Sequence, residues 1–248
     1  MGARVLELAQ ETPGVKVGAV FERPDHPRIG QEIAPGLILE DNPTKAFQAG
    51  DVVVDFTHHT ATMEHLRLAA ALKKAAVTGT TGFSDKHMEE IRALSAATRL
   101  VLAPNMSVGV NLMFKVIHDM ARILGEGYDI EVVEAHHRLK KDAPSGTALR
   151  MAEIAAQARG ASLKDVGVYS RHGLIGQRSD PEIGIQAVRG GDIVGEHTVY
   201  FIGGGERLEV IHRAHSRDNF ARGALRAAQW IVDKPDGLYD MQDVLGLK

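Results

Sequence analysis

A run of basic and hydroxyl side chains near the middle of the chain is the segment best suited to chemistry. Residues 134–148 read Glu-Ala-His-His-Arg-Leu-Lys-Lys-Asp-Ala-Pro-Ser-Gly-Thr-Ala, so two histidines and three cations lie within positions 136–141. Such a concentration of positive charge is unfavourable unless an anion neutralises it. The segment therefore predicts a binding site for a small, multiply anionic molecule.

The same segment supplies proton donors and a helix start. Ser145, Gly146 and Thr147 precede a helical pattern, and the unpaired backbone N–H groups of a helix start favour a carboxylate or phosphate. Histidine titrates near neutral pH, and a lysine ammonium can donate a proton as well as hold a negative charge. These properties predict a substrate that both carries negative charge and needs a proton.

Other interpretations of residues 134–148 remain open. The segment could be a solvated basic loop at the surface. A metal site is disfavoured, because His136 and His137 point to opposite sides of an extended chain and no H-x-x-x-H spacing occurs nearby. A serine hydrolase is disfavoured because there is no G-x-S-x-G motif. No metal is predicted.

Composition limits the class of protein. The 248 residues are 44% apolar and 25% charged with a net charge of -3, which is typical of a globular protein and gives no basic surface for nucleic acid. The absence of cysteine excludes disulfides and thiolate nucleophiles. No apolar run approaches the roughly 20 residues of a membrane helix, and no secretory signal pattern is present. We expect a cytoplasmic protein with neither nucleic acid nor membrane as a partner.

The elements around this segment predict two domains. Strands at 51–56, 76–78 and 100–103 alternate with helices at 61–74 and 85–97, which is typical of a doubly wound α/β domain with a parallel sheet. We assign residues 1–106 to this Rossmann-like dinucleotide-binding domain, and the helix at 220–232 returns residues 218–248 to it.

Residues 107–217 have a different pattern, with more strands and fewer helices. After a long helix at 110–124, strands predominate around one helix at 147–158, and they are expected at 129–135, 166–171, 183–189, 193–202 and 206–212. The Arg189-Gly190-Gly191-Asp192 segment predicts a hairpin turn, since paired glycines adopt positive φ easily. The pattern indicates an α+β domain with an open mixed sheet.

The beginning of the chain departs from a complete dinucleotide-binding unit. Such a unit has a strand, a G-x-G-x-x-G turn and a helix, with an acidic residue about 20 positions later. Here a helix at 3–10 is followed by a strand at 15–21 and by Glu22, and Gly2 lies where the third glycine belongs. We therefore expect the first strand and most of the glycine turn to be missing, with weakened pyrophosphate binding. Alternatively, Glu22 is only a surface acid.

Residues 134–148 strongly resemble the signature E-A-H-H-x-x-K-x-D-A-P-S-G-T-A of the 4-hydroxy-tetrahydrodipicolinate reductase (dihydrodipicolinate reductase) family. The resemblance covers nearly the whole chain, and its other segments are residues 53–57, 79–83, 103–111 and 189–197. It implies hydride transfer from NADH or NADPH to C4 of a cyclic, dicarboxylated imine, with loss of water, in lysine and diaminopimelate biosynthesis.

The resemblance also implies roles for single residues. His136 resembles the general acid and Lys140 a second proton donor, while the substrate carboxylates would be bound by His137, Gly146 and Thr147. On the cofactor side, Glu22 would bind the adenine ribose and Arg23 a 2′-phosphate, so that both cofactors are used. The remaining cofactor contacts would come from Gly79, Thr80, Thr81, Ala103, Pro104, Asn105 and Met106.

The resemblance further implies a homotetramer built through the sheet at 183–212. Ile193, Val199, Phe201 and Val210 form a pattern that we expect to be too apolar for an open solvent face. Two other functions remain open. One is a different nicotinamide-dependent dehydrogenase, and the other is a catalytically impaired binding or scaffold form that lacks the glycine turn. Titration with NADH would separate an intact reductase from the impaired form.

Overall fold

The computed structural model describes residues 1–248. These form two compact units: unit 1 comprises Met1–Val108 and Asp218–Lys248, and unit 2 comprises Gly109–Arg217. The helices are α1 Gly2–Glu11, α2 Pro43–Gln48, α3 His59–Leu72, α4 Asp85–Leu94, α5 Val108–Leu124, α6 Gly146–Ala158, α7 Leu163–Val166, α8 Asp218–Ile231 and α9 Met241–Leu245. The strands are β1 Val20–Phe21, β2 Glu32–Ala34, β3 Leu37–Glu40, β4 Val52–Asp55, β5 Ala75–Thr78, β6 Arg99–Leu102, β7 Asp129–His136, β8 Gly167–Val168, β9 Ile183–Arg189, β10 Glu196–Gly203, β11 Glu206–Arg213 and β12 Gly237–Tyr239.

Unit 1 contains a parallel sheet in the order β12-β6-β5-β4. Its central strands are buried on both faces, as continuous apolar strands of a parallel sheet require. Val77 and Val101 pack on one side with α8, whereas Ala76 and Leu100 pack on the other side with α3. The predicted doubly wound fold class is therefore confirmed.

A second, smaller sheet in unit 1 has the order β1-β3-β2. We expected a strand at 15–21, but only Val20 and Phe21 are in strand conformation, each opposite a residue of β3. The remainder is irregular because β1 has a single neighbour, and no strand of the chain lies between β1 and β4. The short strand still ends directly before Glu22.

Unit 2 is built on a five-stranded mixed sheet in the order β11-β10-β7-β9-β8. β7 pairs antiparallel with β10 and parallel with β9. The long helices α5 and α6 pack on one face of this sheet, where their apolar side chains meet Ile130, Val132 and Phe201. This arrangement confirms the α+β domain with an open mixed sheet.

The prediction of a hairpin at Arg189–Asp192 is wrong. β9 and β10 are not neighbours, because β7 lies between them. The two glycines instead carry the chain past the end of β7, where the Gly190 N–H donates to His136 O at 3.0 Å and Gly191 O accepts from the Arg138 N–H at 3.1 Å. The turn therefore contacts the basic segment directly. Likewise, the strand expected at 166–171 is reduced to Gly167–Val168.

Three of the residues expected on an assembly face lie in or against the core of unit 2. Val199 and Phe201 are completely buried in the core of unit 2, and Val210 packs against the same core. Because side chains alternate along a strand, the opposite, open face carries Ile202 on β10 and Ile211 on β11. Both of these are more than one-third exposed, at 37% and 44%.

No helix in the structure combines the length and the apolar character needed to cross a membrane.

Candidate active site

The site in unit 2 is organised around the carboxylate of Glu134 near the end of β7. Glu134 alternates in phase with the apolar residues of β7 that face the helices, and its side chain has no solvent exposure. Its two oxygens accept from His136 Nδ1 at 2.6 Å, from the Ser145 N–H at 2.9 Å, and from the two terminal nitrogens of Arg189 at 2.7 and 2.8 Å. One buried acid thus joins β7, β9 and the start of α6.

The environment of Glu134 determines its charge. Burial alone would raise the pKa of this carboxyl, but the hydrogen bonds from Arg189, His136 and the Ser145 N–H together lower the pKa below its usual value. Glu134 is therefore ionised and only accepts hydrogen bonds. It follows that His136 Nδ1 carries a hydrogen and donates it to Glu134.

The start of α6 lies directly beside this acid. Ser145 is the N-cap, and its hydroxyl accepts from the Ala148 N–H at 3.2 Å. Gly146 is exposed, and a Cβ built on it would meet nothing within 4 Å. The first backbone N–H groups of a helix carry partial positive charge and favour anions, and Gly146 is the exposed first residue of this helix.

A second histidine, His197 on β10, packs behind His136. It is only 4% exposed, its Nε2 lies 3.2 Å from the Ser145 hydroxyl, and its ring is edge-on to His136 with 5.3 Å between centroids. Burial, reinforced by the charges of His136 and His212, lowers the pKa of His197 to about 3. The ring is therefore neutral at physiological pH and adds no positive charge behind His136.

Lys140 and His137 lie in the loop between β7 and α6. The ammonium of Lys140 pairs with Asp142 at 2.9 Å, and the Lys140 N–H donates to His137 O at 3.1 Å. The Lys140 charge is also one of those that lower the pKa of His197, so its ammonium is within electrostatic reach of the buried histidine. The direct partner of the Lys140 ammonium in this structure is thus Asp142.

His137 faces a shallow pocket of about 360 Å³. Arg138, Arg217 and the acid Asp192 line the pocket beside it, whereas His136 and Gly146 are not among its lining residues. The structure therefore groups His136, Arg189 and the start of α6 around Glu134, with Lys140 paired to Asp142 in the adjoining loop, while His137 opens onto a surface with two arginines.

In unit 1, Gly79–Thr81 follow β5 directly. The Gly79 N–H donates to Asp55 O at 3.0 Å, and a Cβ at Gly79 would lie 2.2 Å from the Phe56 ring, so only glycine fits there. The hydroxyl of Thr80 is buried and accepts from that of Thr62 at 2.9 Å. Thr81 is exposed. In this loop only backbone groups and the Thr81 side chain are therefore available to a ligand.

Among the residues after β6 that are predicted to bind the cofactor, some side chains are likewise buried and others are exposed. The side chains of Ala103 and Met106 are buried in the core on the α8 face, whereas Pro104 is exposed. The Asn105 side chain accepts from the Ser107 N–H at 2.9 Å and shapes the turn. Ala103 and Met106 can therefore meet a ligand only through backbone atoms.

Glu22 and Arg23 follow β1 and are both exposed. One Glu22 oxygen accepts from the Arg23 N–H at 2.9 Å, and the Arg23 guanidinium pairs with Asp25 at 3.1 Å. A carboxylate suits ribose hydroxyls and a guanidinium suits a phosphate. The donor set of unit 1 fits a nicotinamide dinucleotide, because its segments follow the carboxyl ends of parallel strands, where such folds bind ligands.

Sequence reasoning missed Arg189 and His197 as parts of the site and gave Glu134 no role. One signal was available, namely a charged residue in phase with Ile130 and Val132 on a strand that otherwise faces inward with apolar side chains. Arg189 and His197 gave no such signal, because their relation to Glu134 arises from the pairing of β9 and β10 with β7.

A dinucleotide-type fold in one unit and an acid-and-histidine site in the other define the class of nicotinamide-dependent oxidoreductases. Residues 1–106 match the family model described as dihydrodipicolinate reductase, N-terminus, and residues 109–245 match that described as dihydrodipicolinate reductase, C-terminus. The chain belongs to the dihydrodipicolinate reductase family. Its N-terminal domain is the NAD(P)-binding domain of that family.

Relatives and a solved structure agree with this family. The chain is 54% identical to 4-hydroxy-tetrahydrodipicolinate reductase of Syntrophus aciditrophicus (strain SB) and 53% identical to that of Syntrophobacter fumaroxidans, over 100% of this chain and 95% and 96% of those proteins. Dipicolinate-bound dihydrodipicolinate reductase from Paenisporosarcina sp. TG-14 has the same fold, with a TM-score of 0.80 at 22% identity over 98% of this chain and 94% of that one.

The low pKa of His197 predicts that His197→Gln reduces the loss of stability in acid. An unfolded histidine titrates near 6.5, whereas folded His197 titrates near 3. Between these values the unfolded state binds the extra proton, so the free energy of unfolding falls as pH drops, by up to about 1.4 kcal/mol per pH unit. Urea unfolding at about pH 7 and about pH 5 should show that the variant loses about 2 kcal/mol less than the parent chain.

Exposed His172 provides the matched control, and His172→Gln should keep the parent's pH dependence. Because a buried glutamine changes stability at both pH values, the comparison uses the difference between them. Equal losses for the parent chain and His197→Gln would contradict the prediction.

Proposed function

We propose that this chain reduces 4-hydroxy-tetrahydrodipicolinate to tetrahydrodipicolinate with loss of water, as a cytoplasmic step of lysine and diaminopimelate biosynthesis. The observation that carries the proposal is the end of β7, where one buried carboxylate binds both a histidine and the start of a helix. The site thereby combines a proton donor with an anion-binding helix end. Nothing in the comparisons favours the impaired binding form, since the relatives are themselves named as reductases.

Substrate binding is assigned to the positions that accept carboxylates. Gly146 and Thr147 offer the N–H groups of the first turn of α6 to one carboxylate. His137 contacts the other, next to the guanidinium groups of Arg138 and Arg217 in the same pocket. The dicarboxylate bound by the Paenisporosarcina enzyme is of the same chemical class as this substrate.

Proton transfer is assigned to His136 and Lys140. Bound NADH or NADPH supplies the hydride. Hydride addition to a conjugated imine places negative charge on carbon and nitrogen, which a nearby imidazolium or ammonium neutralises. His136 gives its proton from Nε2, because Nδ1 is bonded to Glu134. Lys140 serves as the second donor and holds negative charge near the site.

Cofactor binding is assigned to the segments that follow the strands of unit 1. Glu22 accepts hydrogen bonds from the adenine ribose hydroxyls, and Arg23 binds the 2′-phosphate of NADPH. The backbone of Gly79–Thr81 and of Ala103–Met106 contacts the nicotinamide half. An acid and an arginine at adjacent positions allow the use of both cofactors.

The proton-transfer assignment predicts large losses of turnover in two variants. His136→Ala and Lys140→Ala should each lower kcat by about two orders of magnitude or more, because each removes a proton donor that acts in the transition state. The measurement is steady-state oxidation of NADH with enzymatically generated substrate.

Lys164→Ala, at an exposed lysine on α7, is the matched control and should leave kcat unchanged. Lys140→Ala should retain the unfolding midpoint of the parent chain to within the range typical of surface changes. His136→Ala removes a donor from the buried Glu134 carboxylate, so its unfolding midpoint should fall, and its kcat is measured at a temperature at which it remains folded. Near-normal kcat in both of them would refute the assignment of the proton donors.

The cofactor assignment predicts opposite preferences in two further variants. Arg23→Ala should weaken NADPH binding by about tenfold or more and leave NADH binding nearly unchanged, because only NADPH has the phosphate that the guanidinium binds. Glu22→Ala should weaken the binding of both. Fluorescence titration with each cofactor measures the Kd values.

The exposed pair Lys45 and Glu40 offers a control, and Lys45→Ala should change neither Kd. If Arg23→Ala weakened NADH and NADPH equally, the guanidinium would not distinguish them, and the assignment of Arg23 to the 2′-phosphate would fail.

We further propose that the chain is a homotetramer assembled through the open face of the unit 2 sheet. Ile202 and Ile211 lie on that face, and Val188 is 49% exposed on β9 in the same phase. Charged residues such as Arg207 and Glu209 lie in the same phase, so these apolar side chains are set among ion pairs. Exposed apolar side chains on a sheet face favour a protein interface. β11 is also an edge strand with unpaired backbone groups along its outer side.

Light scattering should give four times the chain mass of 26.8 kDa at micromolar concentration. Ile211→Glu should lower this mass, because a buried unpaired carboxylate at the interface is strongly unfavourable. Ile123→Glu, at a 70% exposed position on α5, should not change it. A monomeric mass for the parent chain would disprove the assembly.

A further inference from the structure

We infer that Glu134, held in place by Arg189, is a positioning residue that determines which nitrogen of His136 exchanges the proton. The inference rests on the proposed role of His136 as proton donor. Glu134 acts through the histidine and does not itself contact a reacting atom. The same carboxylate also accepts from the Ser145 N–H at the start of α6, and a glutamine oxygen at this position can keep that bond.

Each oxygen of the carboxylate has two donors. Oε2 accepts from His136 Nδ1 at 2.6 Å and from one Arg189 nitrogen at 2.7 Å. Oε1 accepts from the Ser145 N–H at 2.9 Å and from the other Arg189 nitrogen at 2.8 Å. The paired bonds from Arg189 fix the plane of the carboxylate, as two parallel N–H···O bonds do. The direction towards His136 is therefore set by β9.

The other side of the imidazole is kept open by a glycine. A Cβ built on Gly195 would lie 3.1 Å from His136 Nε2 and 3.5 Å from Cδ2. Any side chain at this position would press against the nitrogen that exchanges protons. Glu134 and Gly195 thus act on opposite edges of one ring, since the first binds Nδ1 and the second leaves room at Nε2.

A purely structural role does not explain why position 134 carries a charged side chain. The position is in phase with Ile130 and Val132, so an apolar side chain would continue the core. Replacing a buried ion pair by well-packed apolar groups is often neutral or stabilising. The charged group at this position instead supplies an acceptor that an apolar residue lacks, and its nearest donors are the histidine and the helix start.

The decisive variant is Glu134→Gln, which has nearly the same shape but a single acceptor oxygen. Arg189 and the Ser145 N–H can only donate, whereas the imidazole can shift its hydrogen to Nε2 and accept at Nδ1. The amide NH₂ is therefore expected to face His136 and reverse its tautomer. The protonated ring is then disfavoured, and kcat should fall by about two orders of magnitude.

Dicarboxylate binding distinguishes a positioning role of Glu134 from a general disruption of the site. Calorimetric titration of Glu134→Gln with pyridine-2,6-dicarboxylate should give an affinity close to that of the parent chain, because Gly146, Thr147 and His137 remain. Glu153→Gln, at an exposed glutamate of α6 that pairs with Arg150 at 3.1 Å, is the matched control and should retain both kcat and this affinity.

A spectroscopic readout needs no change at Glu134. Two-bond ¹H–¹⁵N correlation spectra at high pH report the tautomer of each neutral histidine, and the His136 signals are those lost in His136→Gln. The parent chain should show the Nδ1–H form, and Glu134→Gln should show the Nε2–H form. An Nε2–H form in the parent chain would overturn the inference, even if Glu134→Gln does not fold.

The kinetic results distinguish failure of the positioning role from failure of the proposed function. Normal kcat in Glu134→Gln, or a fall in kcat matched by loss of dicarboxylate affinity, would also overturn the positioning role. A parent chain that shows the Nδ1–H form but does not reduce the substrate would refute the proposed function and leave the positioning of His136 by Glu134 intact.

Discussion

The requirement that a buried carboxylate be neutralised governs the arrangement of unit 2. An isolated charge in the interior costs several kcal/mol, so it must have partners that stay in place. Glu134 obtains them from three elements: a guanidinium on β9, an imidazole at the end of β7, and a backbone N–H at the start of α6. The order of the strands follows the same requirement, since β7 must lie beside β9 for Arg189 to reach the acid.

Unit 1 also contains a buried acid whose charge is stabilised by hydrogen bonds. Asp55 ends β4 and is 3% exposed, and it accepts from the Thr57 N–H at 2.8 Å and lies 2.9 Å from His65 Nδ1. Burial would raise the pKa of Asp55, but its bonds to His65 and Thr57 lower it. The bond from the Thr62 hydroxyl to Thr80 then continues this network to the loop after β5. In each unit a strand ends in an acid that fixes the loop beside it.

Some residues of the candidate site are bound to strand ends and others are exposed. His136 and the Ser145 N–H bond to the Glu134 carboxylate, and the Gly79 N–H donates to the backbone oxygen of Asp55 at 3.0 Å. Glu22, Arg23, Thr81 and Gly146 are exposed and present their polar groups outward. This division matches the chemistry, because proton transfer depends on fixed geometry whereas contacts to ribose, phosphate or carboxylate tolerate adjustment.

The sequence alone determined the two fold classes, the helix start at Ser145–Thr147, and the cluster of His136 and Lys140. These follow from local periodicity, capping and charge, which are properties of neighbouring residues. The sequence could not determine that β7 lies between β9 and β10, and for this reason the expected hairpin at Gly190–Gly191 is wrong. It also could not determine which face of β10 is covered by helices, and that face carries Val199 and Phe201. Only strand pairing brings Arg189 and His197 to the end of β7, because the contacts of a sheet join residues far apart in the chain. The tertiary structure therefore decided which acid holds the histidine and which of its nitrogens remains free to exchange a proton.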